Sequence, residues 1–183
     1  MKHLVFCVSL MVLIGCGEEQ DVNNLPFLQK DDGVKVESFG VEYLFSDSSR
    51  VTAQLLAPHI YEKENETGRN KVIHYVDQGL RLNFLDANGN AKTYVTADSG
   101  IFDLKIKEGT LKGSVFMKNY KGETLETESL FWDDRKDSVH TEEKVRIETA
   151  DKIIIGKKGF RANTDFTSYI IYGIEGELEA DTQ

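Results

Sequence analysis

The chain has 183 residues, with 22 basic and 31 acidic side chains and a formal net charge of −9 at pH 7. This acidic balance argues against a nucleic-acid partner, which requires a basic footprint, and against docking onto anionic lipid by charge alone. A composition of 40% hydrophobic and 29% charged residues, at this length, allows one domain with a packed core.

The first residues have the pattern of a secretory signal. Lys2 and His3 precede an apolar run at residues 4–14, which is followed by Gly15 and Cys16. The run is shorter than the roughly 20 apolar residues that span a bilayer. A cysteine directly after a small residue resembles the signal of bacterial lipoproteins, which implies cleavage after residue 15 and acylation of Cys16. The alternative is a secretory leader without lipid, in which this cysteine stands by chance.

The rest of the chain divides into a tether and a domain. Residues 16–33 are polar and acidic without apolar periodicity, which predicts a flexible acidic tether. Residues 34–183 are predicted to form the folded domain. Because Cys7 leaves with the signal peptide (1–15) and Cys16 is acylated, neither a disulfide nor a free thiol is expected.

Beyond the tether, apolar and polar residues alternate with a period of two. Such alternation is typical of β-strands that bury one face. The alternating apolar positions are Val34/Val36, Val41/Tyr43/Phe45, Leu80/Leu82/Phe84, Phe102/Leu104/Ile106, Leu111/Val115/Met117, Val145/Ile147 and Ile170/Tyr172/Ile174/Leu178. Turn signals separate these segments about every 8–12 residues, so the pattern predicts an all-β sandwich, roll or barrel.

Three segments predict connections between the strands. Asn88-Gly89 is a strong hairpin signal, because both central residues of that turn must accept positive φ. Glu108-Gly109 predicts a further turn. Residues 58–68 predict either one turn of helix or an acidic loop.

A weak internal repeat has an offset of thirty residues. Residues 97–103 align with 127–133, and Val115 aligns with Val145 at the same offset. The repeat predicts a stack of similar hairpins. Chance similarity between β-hairpins is the alternative.

No catalytic constellation is recognisable in the sequence. The histidines, His3, His59, His74 and His140, are far apart and lack the spacing of a zinc or catalytic site. The Gly-x-Ser-x-Gly, Walker and Gly-x-Gly-x-x-Gly motifs are absent. We therefore expect a protein that is not an enzyme and that uses neither a metal nor a cofactor.

The apolar faces are then the candidate functional surface, since a β-structure open at one side can hold a lipid between its sheets. Each of these side chains is also explained by an ordinary packed core, because sequence alone cannot separate a closed interior from an open groove. The residues predicted to line a lipid groove are Phe102, Leu104, Leu111, Val115, Met117, Leu125, Leu130, Trp132, Val145, Ile147, Ile155, Phe160, Tyr172 and Ile174.

Several segments together resemble the LptC family, the periplasmic component of the bacterial lipopolysaccharide-export machine. Residues 79–89 are similar to its early hairpin, and residues 95–103 to its strand with a threonine, an alanine, an acid and an aromatic-Asp pair. Residues 113–115 match its Gly-x-Val element, and residues 155–160 match its late glycine turn. The order and spacing of these motifs carry the resemblance over residues 41–178.

The resemblance implies a twisted, open antiparallel β-jellyroll of the LptC/OstA type. It implies a conduit that accepts lipopolysaccharide from an inner-membrane ABC transporter and passes it to the next bridge component, with the lipid A acyl chains in a hydrophobic groove. Residues 34–45 would lie on the transporter side, and residues 169–178 would pair with the next jellyroll by edge-strand addition. Gly156 and Gly159 would form the structural glycine turn of the family.

The chain departs from better-known members of that family in its anchor, since those members have an N-terminal transmembrane helix. An acylated Cys16 would tether the domain instead, on the periplasmic side of a membrane in a Gram-negative bacterium, with the inner membrane favoured. Two other functions stay open. One is a surface lipoprotein that binds a protein or glycan without transport, and the other is a small β-solenoid enzyme acting on polysaccharide, which the scattered turn acids fit poorly.

Overall fold

The computed structural model describes residues 34–64 and 72–179 of the chain. The predicted signal peptide, Cys16 and the rest of the predicted tether lie outside these residues. Within the two described ranges, no helix combines the length and the apolar character needed to cross a membrane.

In the described part of the chain, fourteen strands form one continuous antiparallel sheet. The strands are β1 (Val34–Asp47), β2 (Arg50–Glu64), β3 (Val72–Val76), β4 (Leu80–Leu85), β5 (Ala91–Ala97), β6 (Ser99–Asp103), β7 (Glu108–Asn119), β8 (Thr124–Asp133), β9 (Ser138–Thr141), β10 (Val145–Glu148), β11 (Lys152–Gly156), β12 (Phe160–Ala162), β13 (Tyr169–Ile171) and β14 (Ile174–Glu179). The predicted fold class, an all-β open antiparallel jellyroll, is confirmed.

The sheet is folded over into two layers because four long strands, β1, β2, β7 and β8, belong to both. We call the layers front and back and define them by strand pairing. The front layer contains, in order, residues 41–47 of β1, 50–57 of β2, β4, β5, 115–119 of β7, 124–127 of β8, β10, β11 and β14. The back layer contains residues 34–39 of β1, 59–64 of β2, β3, β6, 108–112 of β7, 129–133 of β8, β9, β12 and β13.

The long strands bend along one side of the molecule, which we call the spine. On β1 and β2 the bend lies between the pairs Phe39–His59 and Val41–Ala57, at Pro58, which has no N–H group to lose from the ladder. On β7 the bend is a bulge with positive φ at two consecutive residues, 113 and 114, and a register shift against β8.

The opposite side of the molecule, which we call the rim, is made of turns. The front-layer turns are residues 48–49, 86–90, 120–123 and 149–151, and the back-layer turns are residues 104–107, 134–137 and 163–168. The predicted Asn88-Gly89 hairpin is among them, between β4 and β5, with Gly89 at φ +83°. The fold is therefore closed by continuous strands at the spine and by turns at the rim.

Apolar side chains from both layers fill the space between them. Phe45 of the front layer meets Trp132 of the back layer edge-on, with ring centroids 4.8 Å apart. Phe84, also of the front layer, lies 6.0 Å from the same indole. Each such pair contributes about 0.5–1.5 kcal/mol beyond the burial of its area, so aromatic contacts hold the layers together at this point.

One predicted turn is displaced along the chain. The turn expected at Glu108-Gly109 lies at residues 104–107, and residues 108 and 109 begin β7. Leu104 and Ile106 therefore belong to a turn and not to a strand. Leu104 is buried although it lies in the turn, which is why its spacing from Phe102 imitated a continuing strand.

Two other segments also differ from the sequence predictions. Residues 58–64, expected as a helical turn or a loop, continue β2 beyond the bend; residues 65–68 lie outside the described residues. The alternation from Ile170 to Leu178 is divided between β13 and β14, which lie in different layers. The second difference arises because the chain crosses the spine within a pattern that looks continuous in sequence.

The two copies of the internal repeat occupy equivalent places in the back layer. Strand β6 and residues 129–133 of β8 both run from the spine to the rim, and each ends in an aspartate that caps the next turn. The Asp103 carboxylate accepts hydrogen bonds from the backbone N–H groups two and three residues later, at 3.1 and 3.2 Å. The Asp133 carboxylate accepts one from the N–H three residues later at 3.3 Å, and its hydrogen bond from the Lys136 ammonium lowers the pKa of this aspartate.

The predicted glycine turn lies at the spine between β11 and β12. Gly159 has φ of +100°, and a methyl group there would overlap the backbone oxygen of Thr141 and lie 2.9 Å from Cα of Glu142. Gly156 ends β11 in extended conformation, and a methyl group there would overlap Ile171. Both positions therefore exclude a side chain, the first by backbone and the second by a neighbouring side chain.

We expect Gly159→Ala to lower the free energy of unfolding by about 3 kcal/mol, because backbone strain and a backbone clash coincide there. The matched control is Gly176→Ala, since a methyl group at Gly176 meets nothing within 4 Å. The control should change stability by less than about 0.5 kcal/mol. Denaturant unfolding of both variants measures the difference, and equal stabilities would contradict the assigned geometry.

Candidate functional site

The structure brings most of the predicted groove residues together in the interior between the two layers. They belong to a single core cluster, and each is at most 9% exposed. The residues buried there are Phe102, Leu104, Leu111, Val115, Met117, Leu125, Leu130, Trp132, Val145, Ile147 and Phe160. In this structure these side chains pack against one another, so a lipid would reach them only if the layers moved apart.

Three residues predicted to line the interior lie elsewhere. Ile155 takes the outer face of β11, because its neighbour Ile154 is the buried one. Tyr172 and Ile174 are 44% and 61% exposed at the last strands of the sheet. The run Ile153-Ile154-Ile155 has no polar residue to mark the inner face, and Tyr172 stands in the turn between β13 and β14, so alternation could not place these side chains.

Much of the interior comes from strands that the predicted groove omitted. Its front wall includes fully or almost fully buried side chains of β1, β2, β4 and β5, namely Phe45, Ala53, Leu55, Leu82, Phe84 and Val95. The signal for them was present, since Leu80, Leu82 and Phe84 alternate with polar residues in sequence. The sequence pattern did not predict that these side chains lie opposite β7 and β8 across the interior.

Two polar atoms inside this apolar core have no hydrogen-bond partner among the described residues. They are the indole Nε1 of Trp132 and the hydroxyl Oγ1 of Thr93, whose side chains are 0% and 1% exposed. Thr93 lies directly opposite Phe84 in the sheet, and the Phe84 ring packs near the indole. An unsatisfied buried donor costs about 1–3 kcal/mol, so this part of the interior is less stable than a fully apolar core would be.

Polar contacts join the two layers along the rim. The Lys92 ammonium lies 3.4 Å from the Asp165 carboxylate. The side-chain amide of Asn119 donates a hydrogen bond to the backbone oxygen of Phe166 at 3.0 Å. The Phe166 ring itself is fully buried and packs on Phe160 at 5.6 Å between centroids. The rim is therefore closed here by a partly exposed ion pair and a buried hydrogen bond, with one aromatic ring behind them.

The first edge of the sheet leaves interior-facing side chains in contact with solvent. Among the described strands, β1 pairs only with β2. Tyr43 lies directly opposite the fully buried Leu55, so both point into the interior, yet Tyr43 is 38% exposed. Val36 and Phe39 on the same strand are exposed as well. The interior thus opens to solvent beside an unpaired apolar edge, which we call the N-terminal end.

The last strands of the sheet also combine one-sided pairing with exposed apolar side chains. Among the described strands, β13 pairs only with β12, and β14 only with β11. Ile170 on β13, Ile174 on β14 and Tyr172 between them are exposed. We call this region the C-terminal end. Free backbone groups beside exposed apolar side chains are the features that allow strand addition by another chain.

No family model matches the chain, and no curated protein matches its sequence. The two layers enclose an apolar interior that could take an elongated apolar ligand only if they moved apart. The geometry also fits partners that add strands at either end.

We expect Thr93→Val to raise the free energy of unfolding by about 1 kcal/mol, because valine keeps the shape of threonine and removes an unpartnered hydroxyl. The matched control is Thr52→Val, since the Thr52 hydroxyl donates to the backbone oxygen of Phe45 at 3.3 Å. The control should be destabilised by about 1 kcal/mol. Chemical denaturation of both variants checks the pair, and a loss of stability in Thr93→Val would mean that this hydroxyl is satisfied.

Proposed function

We propose that this chain is a lipid-anchored conduit on the periplasmic side of a membrane, which accepts lipopolysaccharide from an inner-membrane ABC transporter and passes it to the next bridge component. The observation that carries the proposal is the same combination at both ends of the folded sheet: a strand that pairs on one side only among the described strands, beside exposed apolar side chains. The β-jellyroll fold and the motif resemblance to the LptC family support it.

The interior supplies the chemistry for acyl chains. It is lined on both layers by buried aliphatic and aromatic side chains, and each CH₂ group that leaves water there gains about 0.8 kcal/mol. The sugar portion of the ligand stays in solvent. No bond is made or broken by this protein, because ATP hydrolysis by the transporter drives the movement.

Entry of a lipid requires the layers to separate at the rim. Continuous strands join the layers at the spine, whereas at the rim they are joined by contacts such as Lys92–Asp165. Partly exposed ion pairs of this kind contribute about 0–1 kcal/mol each. Acyl chains that replace core contacts with their own can therefore offset the loss of the rim contacts.

The edges supply continuity between components. A strand of a neighbouring jellyroll that pairs with β1, or with β13 or β14, would extend the sheet and the interior together. In this proposal the N-terminal end faces the transporter and the C-terminal end faces the next component. Cys16, outside the described residues, would hold the domain at the membrane through its acyl chains.

We expect photoreactive residues at Phe102 and Tyr43 to capture lipopolysaccharide in cells, because both positions face the interior. The matched controls are their chain neighbours Ile101 and Leu44, which take the outer face and are themselves exposed. Capture at the inner positions, with little at the outer ones, is the expected result, measured by immunoblotting against lipopolysaccharide.

Tyr43 keeps this test informative if a bulky residue at the buried position 102 prevents folding, since position 43 has room at the open edge. Labelling at the two outer positions alone, or at none of the four, would contradict the conduit and favour a surface lipoprotein without transport. Hydrolase or lyase activity of the purified protein on polysaccharide would favour the alternative of a small enzyme acting on polysaccharide.

We expect Ile174→Lys to weaken docking of the next jellyroll about tenfold, because a buried isoleucine contributes about 1.5–3 kcal/mol to a contact. The readout is the yield of adduct between a photoreactive residue at Ile170 and a β-jellyroll protein identified by mass spectrometry. Tyr120→Lys is the control, since Tyr120 and Ile174 are both 61% exposed but Tyr120 lies in a rim turn. Equal yields in both variants would contradict docking at this end.

A further inference from the structure

A cationic cleft lies at the spine beside the C-terminal end of this acidic protein. Its volume is about 540 Å³. Four residues of its lining carry or can carry positive charge: His140, Lys157, Lys158 and Arg161. The other residues of the lining are the exposed Tyr172, the acidic Glu142, Thr141 and Phe160.

The backbone fixes the position of the two lysines. The N–H of Lys157 donates to the oxygen of Gly173 at 2.9 Å, and the N–H of Lys158 donates to the oxygen of Tyr172 at 3.0 Å. The N–H of Tyr172 donates back to Gly159 at 2.9 Å. The turn between β11 and β12 is thus bonded to the turn between β13 and β14, and both line one rigid corner of the fold.

Two of the cations have no partner within the described residues. Lys157 is paired with Glu175, whereas the side chains of Lys158 and Arg161 make no hydrogen bond or ion pair to any residue that the structure describes. In a chain with a net charge of −9, two unpaired cations lining one cleft form a local positive field. Glu142 is the one acid in the lining, so the cleft keeps a positive balance.

The histidine on the cleft wall lies close to one of these cations, and its pKa reflects burial as well as that charge. His140 lies directly opposite Arg161 on the neighbouring strand, and its ring packs on Phe131 at 4.8 Å. Burial, followed by the charge of Arg161, lowers the pKa of His140. A neutral imidazole in this position can donate or accept a hydrogen bond without adding to the charge.

We infer that this cleft binds a phosphate monoester. A phosphate monoester carries a charge of about −1.5 to −2 at pH 7 and three acceptor oxygens, which matches the two unpaired cations. The planar guanidinium of Arg161 can bind two of these oxygens, and Lys158 supplies a point charge. The cleft also has room for a sugar that carries the phosphate, with the Tyr172 ring available to contact it.

The position of the cleft indicates which molecule carries the phosphate group. This part of the inference rests on the proposed function. Tyr172 is both a wall of the cleft and part of the exposed apolar C-terminal end. A glycolipid whose acyl chains leave the interior at that end would bring its head-group phosphate beside Lys158 and Arg161. Free inorganic phosphate has the same chemistry and is the other source that an experiment must separate.

The test compares binding to the full-length protein, purified from membranes in detergent, by isothermal titration calorimetry. The ligands are inorganic phosphate, lipopolysaccharide, and lipopolysaccharide whose phosphates have been removed enzymatically. The variant is Lys158→Gln/Arg161→Gln. The control is Lys105→Gln/Lys118→Gln, which removes the same charge at exposed positions outside the cleft lining.

We expect the unaltered protein and the control to bind phosphorylated lipopolysaccharide about tenfold or more tightly than the dephosphorylated form, and the cleft variant to lose this preference. Binding of inorganic phosphate that depends on the same two cations also supports the cleft, and the lipid comparison then assigns the source. A cleft variant that binds every phosphate ligand like the control would overturn the inference, as would an unaltered protein that binds none of them.

Failure of this inference is distinguishable from failure of the proposed function. Capture of lipid at Tyr43 reports occupancy of the interior and does not depend on the cleft. If the Lys158→Gln/Arg161→Gln variant still captures lipid and its phosphate preference is unchanged, the inference about the cleft fails and the conduit stands. Absence of capture at both Tyr43 and Phe102 in the protein with an intact cleft overturns the conduit, whatever the cleft binds.

Discussion

The fold depends on the continuity of four strands, β1, β2, β7 and β8, through both layers. A strand that crosses the spine cannot let the layers separate there without losing ladder hydrogen bonds on both sides. The rim has no such constraint, because each turn belongs to one layer. The layers are therefore joined by continuous strands along the spine and by side-chain contacts alone along the rim.

This asymmetry determines how such an interior could admit a ligand. Along the rim, the contacts are individual polar pairs such as Lys107 with the backbone oxygen of Ser46, and these compete with water. Behind them, the aromatic contact between Phe45 and Trp132 is shielded from water, since both rings are at most 2% exposed. Separating the layers thus breaks weak contacts first and apolar contacts second, and an acyl chain can replace only the apolar contacts.

The two ends of the folded sheet are alike in their edges and different in their charge. Each combines strands that pair on one side only, among the described strands, with exposed apolar side chains, which are the features that allow strand addition. The C-terminal end alone adjoins the cationic cleft with Lys158 and Arg161. In the proposed conduit, an amphipathic ligand with apolar chains and an anionic head would find both of its parts matched at that end alone.

The alternation of apolar residues, by itself, determined that the chain folds as an antiparallel β protein and which face of strands such as β4 and β10 is buried. These are local properties, because side chains of successive strand residues point to opposite faces. Sequence could not place the Ile153-Ile154-Ile155 run, in which every residue is apolar, nor assign Leu104 to a turn. It could not show that Lys158 and Arg161 line one cleft, since they come from a turn and a strand whose proximity depends on pairing with distant strands. The tertiary structure alone decided where the long strands bend, because each bend lies where a strand changes partner between the layers. At Pro58, β2 passes from β4 to β3, and at Gly113, β7 passes from β6 to β5.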